Sequence, residues 1–425
     1  MKPAEKIPEK MSGMSKPRFK FMIVLFTTVL CLRGKMNFRN MSRYSDLSEK
    51  TFSRNFRKSF DFLLFSRLVI EETANTPRRR FAAMDCTFVQ KSGDATYGPD
   101  YFWNGSADKT EKGLGLSVIA IVDADSKTAF TLSAMQTSDP HSEKIPNHVG
   151  NFRDRNNLNF KNIIILRKYG SETRIGFHLS QLRMVRHSFP EDVRYLVADG
   201  YYAKEKFVTG VTDEGLHVIG KSRCDANLRY LYNGPRREGP GAPRKYDGKV
   251  DFQDIGRMEF IGEPEKGIFL YTAVVNSVSL KRNIRIAYLL DTRNKKRTRY
   301  ALLFSTDIGT DAEDIVHFYK ARFQMEFIFR DAEQFTGLCD CQARKKESLH
   351  FHFNASLPAL NLVRAEDRES HPGGEPAIFP MASHKVRYFN EFLIDKFISM
   401  SGLDQNPIKN TPAYEELRNY GAIAA

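Results

Sequence analysis

Two aspartates stand where the surrounding sequence predicts buried strands. Asp85 interrupts the apolar run at residues 81–89, and Asp199 directly follows the apolar run at residues 195–198. An ionised carboxylate in such a place is costly unless it is paired, hydrogen-bonded or bound to a metal. Each aspartate also has a plainer explanation, because Asp-Gly at a strand end is typical of a turn and an Asp within a strand often marks an edge or a bulge.

The two aspartates are more informative as a pair. If the first and fourth predicted strands are neighbours, the chain order reverses between them, and ligands of open α/β sheets bind at such a point. Two carboxylates that converge there would form an oxygen-rich site suited to Mg²⁺ or Mn²⁺.

Glu326 is the third candidate acid, on a helix predicted to begin at Asp311. Thr310 and Glu313 would form a capping box, with Thr310 as the N-cap. Polar residues recur along this helix at three- and four-residue steps and would share one face. They are Tyr319, Arg322, Glu326, Arg330 and Glu333. The alternative is a solvated stripe in which an Arg322–Glu326 pair contributes about 0.3–0.5 kcal/mol.

The composition predicts a globular chain that binds nucleic acid. The 425 residues include 65 Lys and Arg against 51 Asp and Glu, a net charge of +14, and 41% are hydrophobic. This charge suits a nucleic acid or an anionic membrane. The longest apolar run, residues 21–32, is too short to span a bilayer and indicates a buried helix, so nucleic acid is the better partner. Five scattered cysteines without a C-x-x-C pair favour a reducing compartment over a disulfide framework or a structural zinc site.

The order of predicted elements indicates a mixed α/β sheet. Three strands come first in meander order, and strands then alternate with helices, a pattern typical of a mixed sheet with helices on its faces. A Gly/Pro/Arg-rich loop at residues 234–248 and further strand-like runs indicate a β-rich insertion. The predicted strands are 81–89, 116–122, 128–135, 194–198, 216–220, 258–261, 268–276, 284–290 and 300–305, and the helices among them are 176–186 and 203–209.

A helical region near the N-terminus is predicted to bind DNA. Residues 36–41, a polar break and residues 48–64 resemble a helix-turn-helix, with Ser48 as the cap of the second helix. The basic residues that would share one face of that helix and contact DNA are Lys50, Arg54 and Arg57. The alternative is an ordinary helical cap with a solvated basic face.

Two turns in the β-rich insertion are predicted to continue the DNA path. Basic residues concentrate there, although exposed basic turns are also common as solubility features. The residues predicted to contact DNA are Arg244 and Lys245 in the Gly/Pro loop and Lys295, Lys296 and Arg297 in a later turn.

The acids and their neighbours resemble the DDE transposases of bacterial insertion sequences, in particular those of the insertion-sequence-four type. The resembling motifs are Asp85 in the first strand, Asp199-Gly200-Tyr201 after the fourth, and Tyr319-x2-Arg322-x3-Glu326 on the late helix. The subgroup signature is Y-x2-R-x3-E-x6-K, and the similarity runs from about Met36 to Tyr420.

One position departs from that signature. Glu333 stands where the family has a Lys that contacts a DNA phosphate, so a cation becomes an anion facing a polyanion. Arg330, one turn away, is the candidate substitute. This departure puts catalytic activity in question without affecting the expected fold.

The resemblance implies an α/β fold: an RNase H-like mixed sheet flanked by helices, interrupted by a β-rich insertion, with helical N- and C-terminal regions. The implied divisions are a disordered tail (1–17), a helical DNA-binding region (18–75), the first part of the RNase H-like core (76–221), the insertion (222–306), the second part of the core with the catalytic helix (307–365) and a helical C-terminal tail (366–425).

The resemblance also implies a DNA transposase that cuts and rejoins phosphodiester bonds at the ends of an insertion sequence. Two Mg²⁺ or Mn²⁺ ions would be held by Asp85, Asp199 and Glu326, with Asp85 bridging both, while Tyr319 and Arg322 would position a phosphate. The implied partners are double-stranded terminal repeats and target DNA, with no membrane, a homodimer on two DNA ends, and a place in the bacterial cytoplasm at the nucleoid. The alternatives are an RNase H-like nuclease and a degenerate transposase that binds DNA ends without cutting.

Overall fold

The computed structural model describes residues 7, 9–11, 13–73, 79–104, 108–137, 173–236, 242–294, 299–370 and 379–423. The helices are α1 (Lys16–Cys31), α2 (Phe38–Met41), α3 (Glu49–Asn55), α4 (Phe62–Glu72), α5 (Arg174–Val185), α6 (Glu205–Asp213), α7 (Ala312–Ala321), α8 (Gln324–Phe335), α9 (Lys346–Ser370), α10 (Met381–Met400), α11 (Gln405–Lys409) and α12 (Pro412–Asn419). The strands are β1 (Arg80–Gln90), β2 (Asp100–Asn104), β3 (Lys109–Asp123), β4 (Thr128–Thr137), β5 (Tyr195–Ala198), β6 (His217–Ser222), β7 (Leu228–Leu231), β8 (Tyr246–Lys249), β9 (Glu259–Glu265), β10 (Ile268–Ser277), β11 (Arg282–Asp291) and β12 (Arg299–Ser305).

The strands form one mixed sheet in the order β2-β3-β1-β5-β6-β12-β11-β10-β7-β8, with β4 paired to β3 and β9 to β10. The β1–β5 and β5–β6 pairs are parallel, and the β1–β3 and β6–β12 pairs that flank them are antiparallel. Helices flank the sheet and make up the N- and C-terminal regions. The predicted fold class is confirmed, and the arrangement is consistent with an RNase H-like fold.

The β-rich insertion continues the core sheet. β12 pairs with β6 on one side and with β11 on the other, so the hydrogen-bonded ladder passes from the core into the insertion without a gap. β7 and β8 close the far end of the order. Sheet edges are sites of unwanted pairing, and the insertion therefore covers an edge that β6 would otherwise present.

The strands β1 and β5 lie side by side, as the pairing of the two aspartates requires. Their residues before the acids are apolar and fully buried, which is typical of parallel strands covered on both faces. In the parallel register Met84 faces Ala198, and the next residue in the chain after each of them is an aspartate. The condition for the two aspartates to converge, that these two strands are neighbours, is therefore met.

The long helix α9 covers the outer edge of β4. Asn361 accepts a hydrogen bond from the Thr131 N–H at 2.9 Å and donates to the Thr131 carbonyl at 2.7 Å. Asn354 donates to the Ala134 carbonyl at 3.0 Å, and Arg364 donates to the Ala129 carbonyl at 2.5 Å. These side chains satisfy backbone groups that would otherwise be buried without partners.

The N-terminal helices pack onto the same long helix through aromatic side chains. The ring of Phe351 lies 4.5 Å from that of Phe56 and 5.1 Å from that of Phe62, measured between centroids. Aromatic pairs at such distances add to the stabilisation from area burial alone. Ile7 and Met11, within the stretch predicted as a tail, are also buried. No helix among the described residues is long and apolar enough to cross a membrane.

Two helix predictions need correction. The helix expected from Asp311 through Glu333 is divided into α7 and α8, and the break lies at Arg322 and Phe323. Asp311 rather than Thr310 is the N-cap residue, without a side-chain cap, because the Thr310 hydroxyl lies 3.0 Å from that of Tyr195 and so takes part in a tertiary contact.

The predicted helix 48–64 is also divided. Ser48 caps α3 as expected, with its side chain accepting from the Thr51 N–H, but α3 ends at Asn55. Arg57 therefore lies beyond the helix that carries Lys50 and Arg54. The strands β2, β7 and β8 were not predicted, and β8 overlaps a stretch predicted as loop. They are short, and pairing with neighbouring strands stabilises them more than local propensity does.

Candidate active site

Asp85 and Asp199 occupy adjacent positions at one point of the sheet. Asp199 follows the end of β5, and its Oδ1 accepts the Tyr201 N–H at 3.0 Å, which caps a short 3₁₀ turn over Gly200–Tyr202. The Oδ1 of Asp85 accepts the Cys86 N–H at 2.8 Å. Asp199 therefore serves as the turn residue that its Asp-Gly sequence suggests, and it also lies beside the other aspartate.

Arg322 joins Asp85 to Glu326. Its Nη1 donates to the Asp85 Oδ2 at 2.9 Å, and its Nη2 lies 3.8 Å from the Glu326 Oε1. The Arg322 side chain is only 12% exposed, against 21% for Asp85 and 49% for Glu326. Asp85 and Glu326 thus face the same guanidinium, and Asp199 lies beside Asp85 on the neighbouring strand end.

The break between α7 and α8 puts Arg322 in this position. Arg322 is the C-cap residue of α7, and the turn that follows closes with hydrogen bonds from the Met325 N–H to the Arg322 carbonyl and from the Glu326 N–H to the Phe323 carbonyl. These are i to i+3 bonds of the 3₁₀ type, which often mark a functional break within a helix. The sequence there contains neither Pro nor Gly.

The electrostatics of Asp85 reflect its neighbours. Burial raises the pKa of this carboxyl to about 6, and the nearby charges of Asp199 and Glu326 act in the same direction, while Arg322 and the Cys86 N–H oppose them. The site therefore places two further negative charges near the largely buried carboxyl of Asp85. Strongly perturbed carboxylates of this kind are typical of functional sites.

The three candidate carboxylates suit a hard divalent cation, but Arg322 lies between two of them. Three carboxylates supply oxygen ligands of the kind that Mg²⁺ and Mn²⁺ prefer. Within the described residues, however, no group of three or more His, Cys, Asp or Glu side chains stands close enough together to hold a metal ion. Arg322 lies between Asp85 and Glu326 and keeps the carboxylates around a guanidinium.

Tyr319 lies next to Arg322 as the predicted motif requires. The Arg322 guanidinium carbon is 5.6 Å from the centroid of the Tyr319 ring, and burial raises the pKa of the phenol. The ring therefore supports one side of the guanidinium, an arrangement typical of arginines that are held in place by stacking.

Glu333 and Arg330 occupy different environments from one another. Glu333 hydrogen-bonds with the side chain of Thr87, and partial burial raises the pKa of its carboxyl. Thr87 is two residues beyond Asp85 on β1, so both point to the same face of the strand. Arg330 donates to the Asp331 Oδ1 at 2.9 Å and is 52% exposed. The anion thus faces the site, while the candidate substitute cation already has a partner.

The predicted DNA contacts are distributed over several surfaces. Lys50, Arg54 and Arg57 are all exposed, and so is Lys245. Arg244 is exposed as well, but it forms an ion pair with Asp247. The residues of the later turn, Lys295, Lys296 and Arg297, lie outside the described residues.

The sequence did not point to further polar groups around Asp85 and Asp199. The Lys204 Nζ lies 3.8 Å from the centroid of the Tyr201 ring, and its position just after the Asp-Gly-Tyr motif was the only available signal. On the other face of β1, the Cys86 Sγ lies 3.4 Å from the Tyr202 hydroxyl and 3.8 Å from the His178 Nε2. Burial lowers the pKa of His178 to about 4, so this support is uncharged at neutral pH.

Two protein-family models match this chain. A family model described as DDE superfamily endonuclease matches residues 23–259, more than half of the chain, and one described as Transposase DDE domain matches residues 176–362. Asp85 lies in the first range, Glu326 in the second and Asp199 in both. The comparison with curated proteins found no match.

Proposed function

This chain belongs to the DDE superfamily endonuclease family, and from that membership we propose that it is a DNA transposase that cuts and rejoins phosphodiester bonds at the ends of an insertion sequence. The observation that carries the proposal is that Asp85 and Asp199 are adjacent at the β1–β5 boundary, while Arg322 links Asp85 to Glu326. A transposase or endonuclease function follows from the family itself. The subgroup, the reaction steps and the residue roles are the proposal.

The three acids are proposed to hold two divalent ions, Mg²⁺ or Mn²⁺. Asp85 would contribute to both, with Asp199 and Glu326 each serving one. Such ions, when bound, activate an attacking oxygen and neutralise a leaving one. The supporting features are the hard-oxygen donor set and the raised pKa of Asp85, which reflects a carboxyl that burial disfavours as an anion.

The cationic and aromatic residues are proposed to bind the DNA backbone. Arg322 still has N–H donors that could bind phosphate oxygens, and Tyr319 holds the guanidinium in place. Hydrolysis would free a 3′-hydroxyl at the element end, and that hydroxyl would attack a second phosphodiester, so that one P–O bond forms as another breaks. Two copies of the chain would pair on two DNA ends, at the nucleoid of a bacterial cell.

A cleavage assay tests this function. DNA carrying the inverted repeats that flank the gene is incubated with the chain and Mg²⁺, and cleaved and joined products are separated on a denaturing gel. Cleavage followed by joining supports a transposase, and cleavage without joining supports the nuclease alternative. Absence of cleavage by the native chain, with cleavage restored by Glu333→Lys, supports the degenerate alternative.

Glu333→Lys is expected to tighten DNA binding by roughly tenfold at 50 mM salt and to steepen the plot of log affinity against log salt by about one unit. The reason is that Glu333 of α8, which bonds to Thr87 on the face of β1 that carries Asp85, changes from an anion to a cation next to the expected DNA path. Fluorescence anisotropy with a labelled duplex measures both quantities. Glu333→Gln is the matched control and should give a smaller gain without the steeper slope, because it removes the anion but adds no phosphate contact.

Replacing Lys50, Arg54 and Arg57 together by Ala is expected to weaken DNA binding and to reduce the salt slope by about three units. All three are exposed on or just after α3. The same anisotropy titration over a range of salt concentrations measures the change. An unchanged slope would show that this face is solvated and does not contact DNA.

A further inference from the structure

Arg322 is the counter-ion of Asp85. Its Nη1 contacts the Asp85 Oδ2 at 2.9 Å, while the Cys86 N–H already occupies the Asp85 Oδ1. Both oxygens of Asp85 are therefore engaged. A divalent ion that binds Asp85 has to compete with Arg322 for the Oδ2, because two cations close to one oxygen repel each other.

The guanidinium is not fully satisfied in this place. Its Nε is buried and has no hydrogen-bond partner among the described residues. Its Nη2 lies 3.8 Å from the Glu326 Oε1, beyond hydrogen-bonding distance. An arginine has five N–H donors, and a buried donor without an acceptor costs about 1–3 kcal/mol. Arg322 is thus suited to leave this arrangement and to bind a tetrahedral anion instead.

We propose that Arg322 is a latch that couples divalent-ion binding to DNA binding. In the free chain it pairs with Asp85 and weakens ion binding there, and a DNA phosphate draws it away so that the carboxylates are released for the ions. This inference rests on the proposed function, because it takes the three acids as the ion site. It assigns Arg322 a second role, in which it prevents the site from loading before DNA is in place.

The latch has a thermodynamic consequence that can be measured without cleavage. If phosphate binding at Arg322 strengthens ion binding at Asp85 by some factor, the ion must strengthen phosphate binding by the same factor. Couplings of this kind are typically about 5–150-fold. We expect a factor of about ten, because Arg322 is one of several charges around the acids.

The experiment measures Mn²⁺ affinity by electron paramagnetic resonance of the free ion, in full-length protein without DNA at pH 8. Arg322→Met keeps a long apolar stem and removes the charge, and it is expected to bind Mn²⁺ about tenfold more tightly than the native chain. Sodium sulfate is the phosphate probe, with sodium chloride at equal ionic strength as its control. Sulfate should raise the Mn²⁺ affinity of the native chain and leave that of Arg322→Met unchanged.

Three further variants keep the result interpretable. Lys320→Met removes a cation from the same helix, but Lys320 pairs with Glu265 and not with the acids, so native Mn²⁺ affinity is expected. Asp85→Asn should lose Mn²⁺ binding. Arg322→Lys, which keeps a cation, should bind Mn²⁺ less tightly than Arg322→Met, and thermal melting checks that both variants fold.

The outcomes separate the latch from the proposed function. If Mn²⁺ binding depends on Asp85 but Arg322→Met binds no more tightly than the native chain, the latch is overturned and the ion site stands. If sulfate has no effect on the native chain, the coupling is likewise overturned. If no variant binds Mn²⁺ with or without sulfate, the ion site itself is wrong and the latch fails with it.

Discussion

Replacing Asp85 by Asn is expected to lower the rate of DNA strand cleavage at least about a thousandfold. Asn has nearly the same size but carries no charge, so it cannot bind divalent ions as a carboxylate does. The effect should be large because Asp85 has the most central position of the three acids, within 2.9 Å of Arg322 and beside Asp199. Cleavage of a supercoiled plasmid bearing both element ends, in Mg²⁺, measures the rate.

A surface aspartate provides the control for this substitution. Asp94 is 92% exposed and pairs with Lys112, so Asp94→Asn removes an equal charge away from the site. Its cleavage rate should remain within about twofold of the native rate, since exposed pairs contribute little.

DNA binding by Asp85→Asn should persist, because the lost charge is negative. Near-native cleavage by Asp85→Asn would remove this residue from the catalytic site.

Replacing Arg364 by Met is expected to lower the free energy of unfolding by about 3–5 kcal/mol. The Arg364 side chain is 4% exposed and lies 3.3 Å from Asp331, which is 2% exposed. Removing the cation leaves a buried carboxylate and the Ala129 carbonyl without this partner. Asp331 belongs to α8, the helix of Glu326, so the loss should also loosen the site. Urea unfolding followed by circular dichroism measures the change.

Arg330 offers a matched comparison, because it pairs with the same Asp331 from the solvent side and is 52% exposed. Arg330→Met should lower the free energy of unfolding by less than about 1 kcal/mol. The double variant Asp331→Leu/Arg364→Met should lose less than Arg364→Met alone, because it also removes the buried carboxylate that has lost its buried partner. If Arg364→Met and Arg330→Met lower the free energy of unfolding equally, burial does not determine how much each arginine contributes.

Local sequence patterns were sufficient for much of the fold. The apolar runs around Asp85 and before Asp199 predicted β1 and β5, and alternation of strands and helices predicted a mixed sheet, because burial demands apolar side chains at the period of each element. The expected convergence of the two aspartates depended on one condition, that their strands are neighbours, and the parallel register of Met84 with Ala198 meets it.

The break between α7 and α8 could not be predicted in the same way. Residues 310–333 have helical periodicity throughout, with no Pro or Gly to interrupt it. The interruption coincides with the pairing of Arg322 and Asp85, which are 237 residues apart in the chain. The same limit applies to Thr310, whose capping role is replaced by a contact with Tyr195. Competition between local and distant partners is resolved only by the folded chain.

The amino-acid sequence by itself determined which residues could do chemistry and which elements carry them, because residue type and hydrophobic period are local properties. It pointed to Asp85, Asp199 and Glu326 as the candidate acids and predicted the mixed sheet. Only the tertiary structure decided that Arg322 stands between Asp85 and Glu326 and that Glu333 contacts Thr87 on the strand of Asp85. Those relations depend on burial and charge between distant segments, and such energies exist only once the segments are packed together.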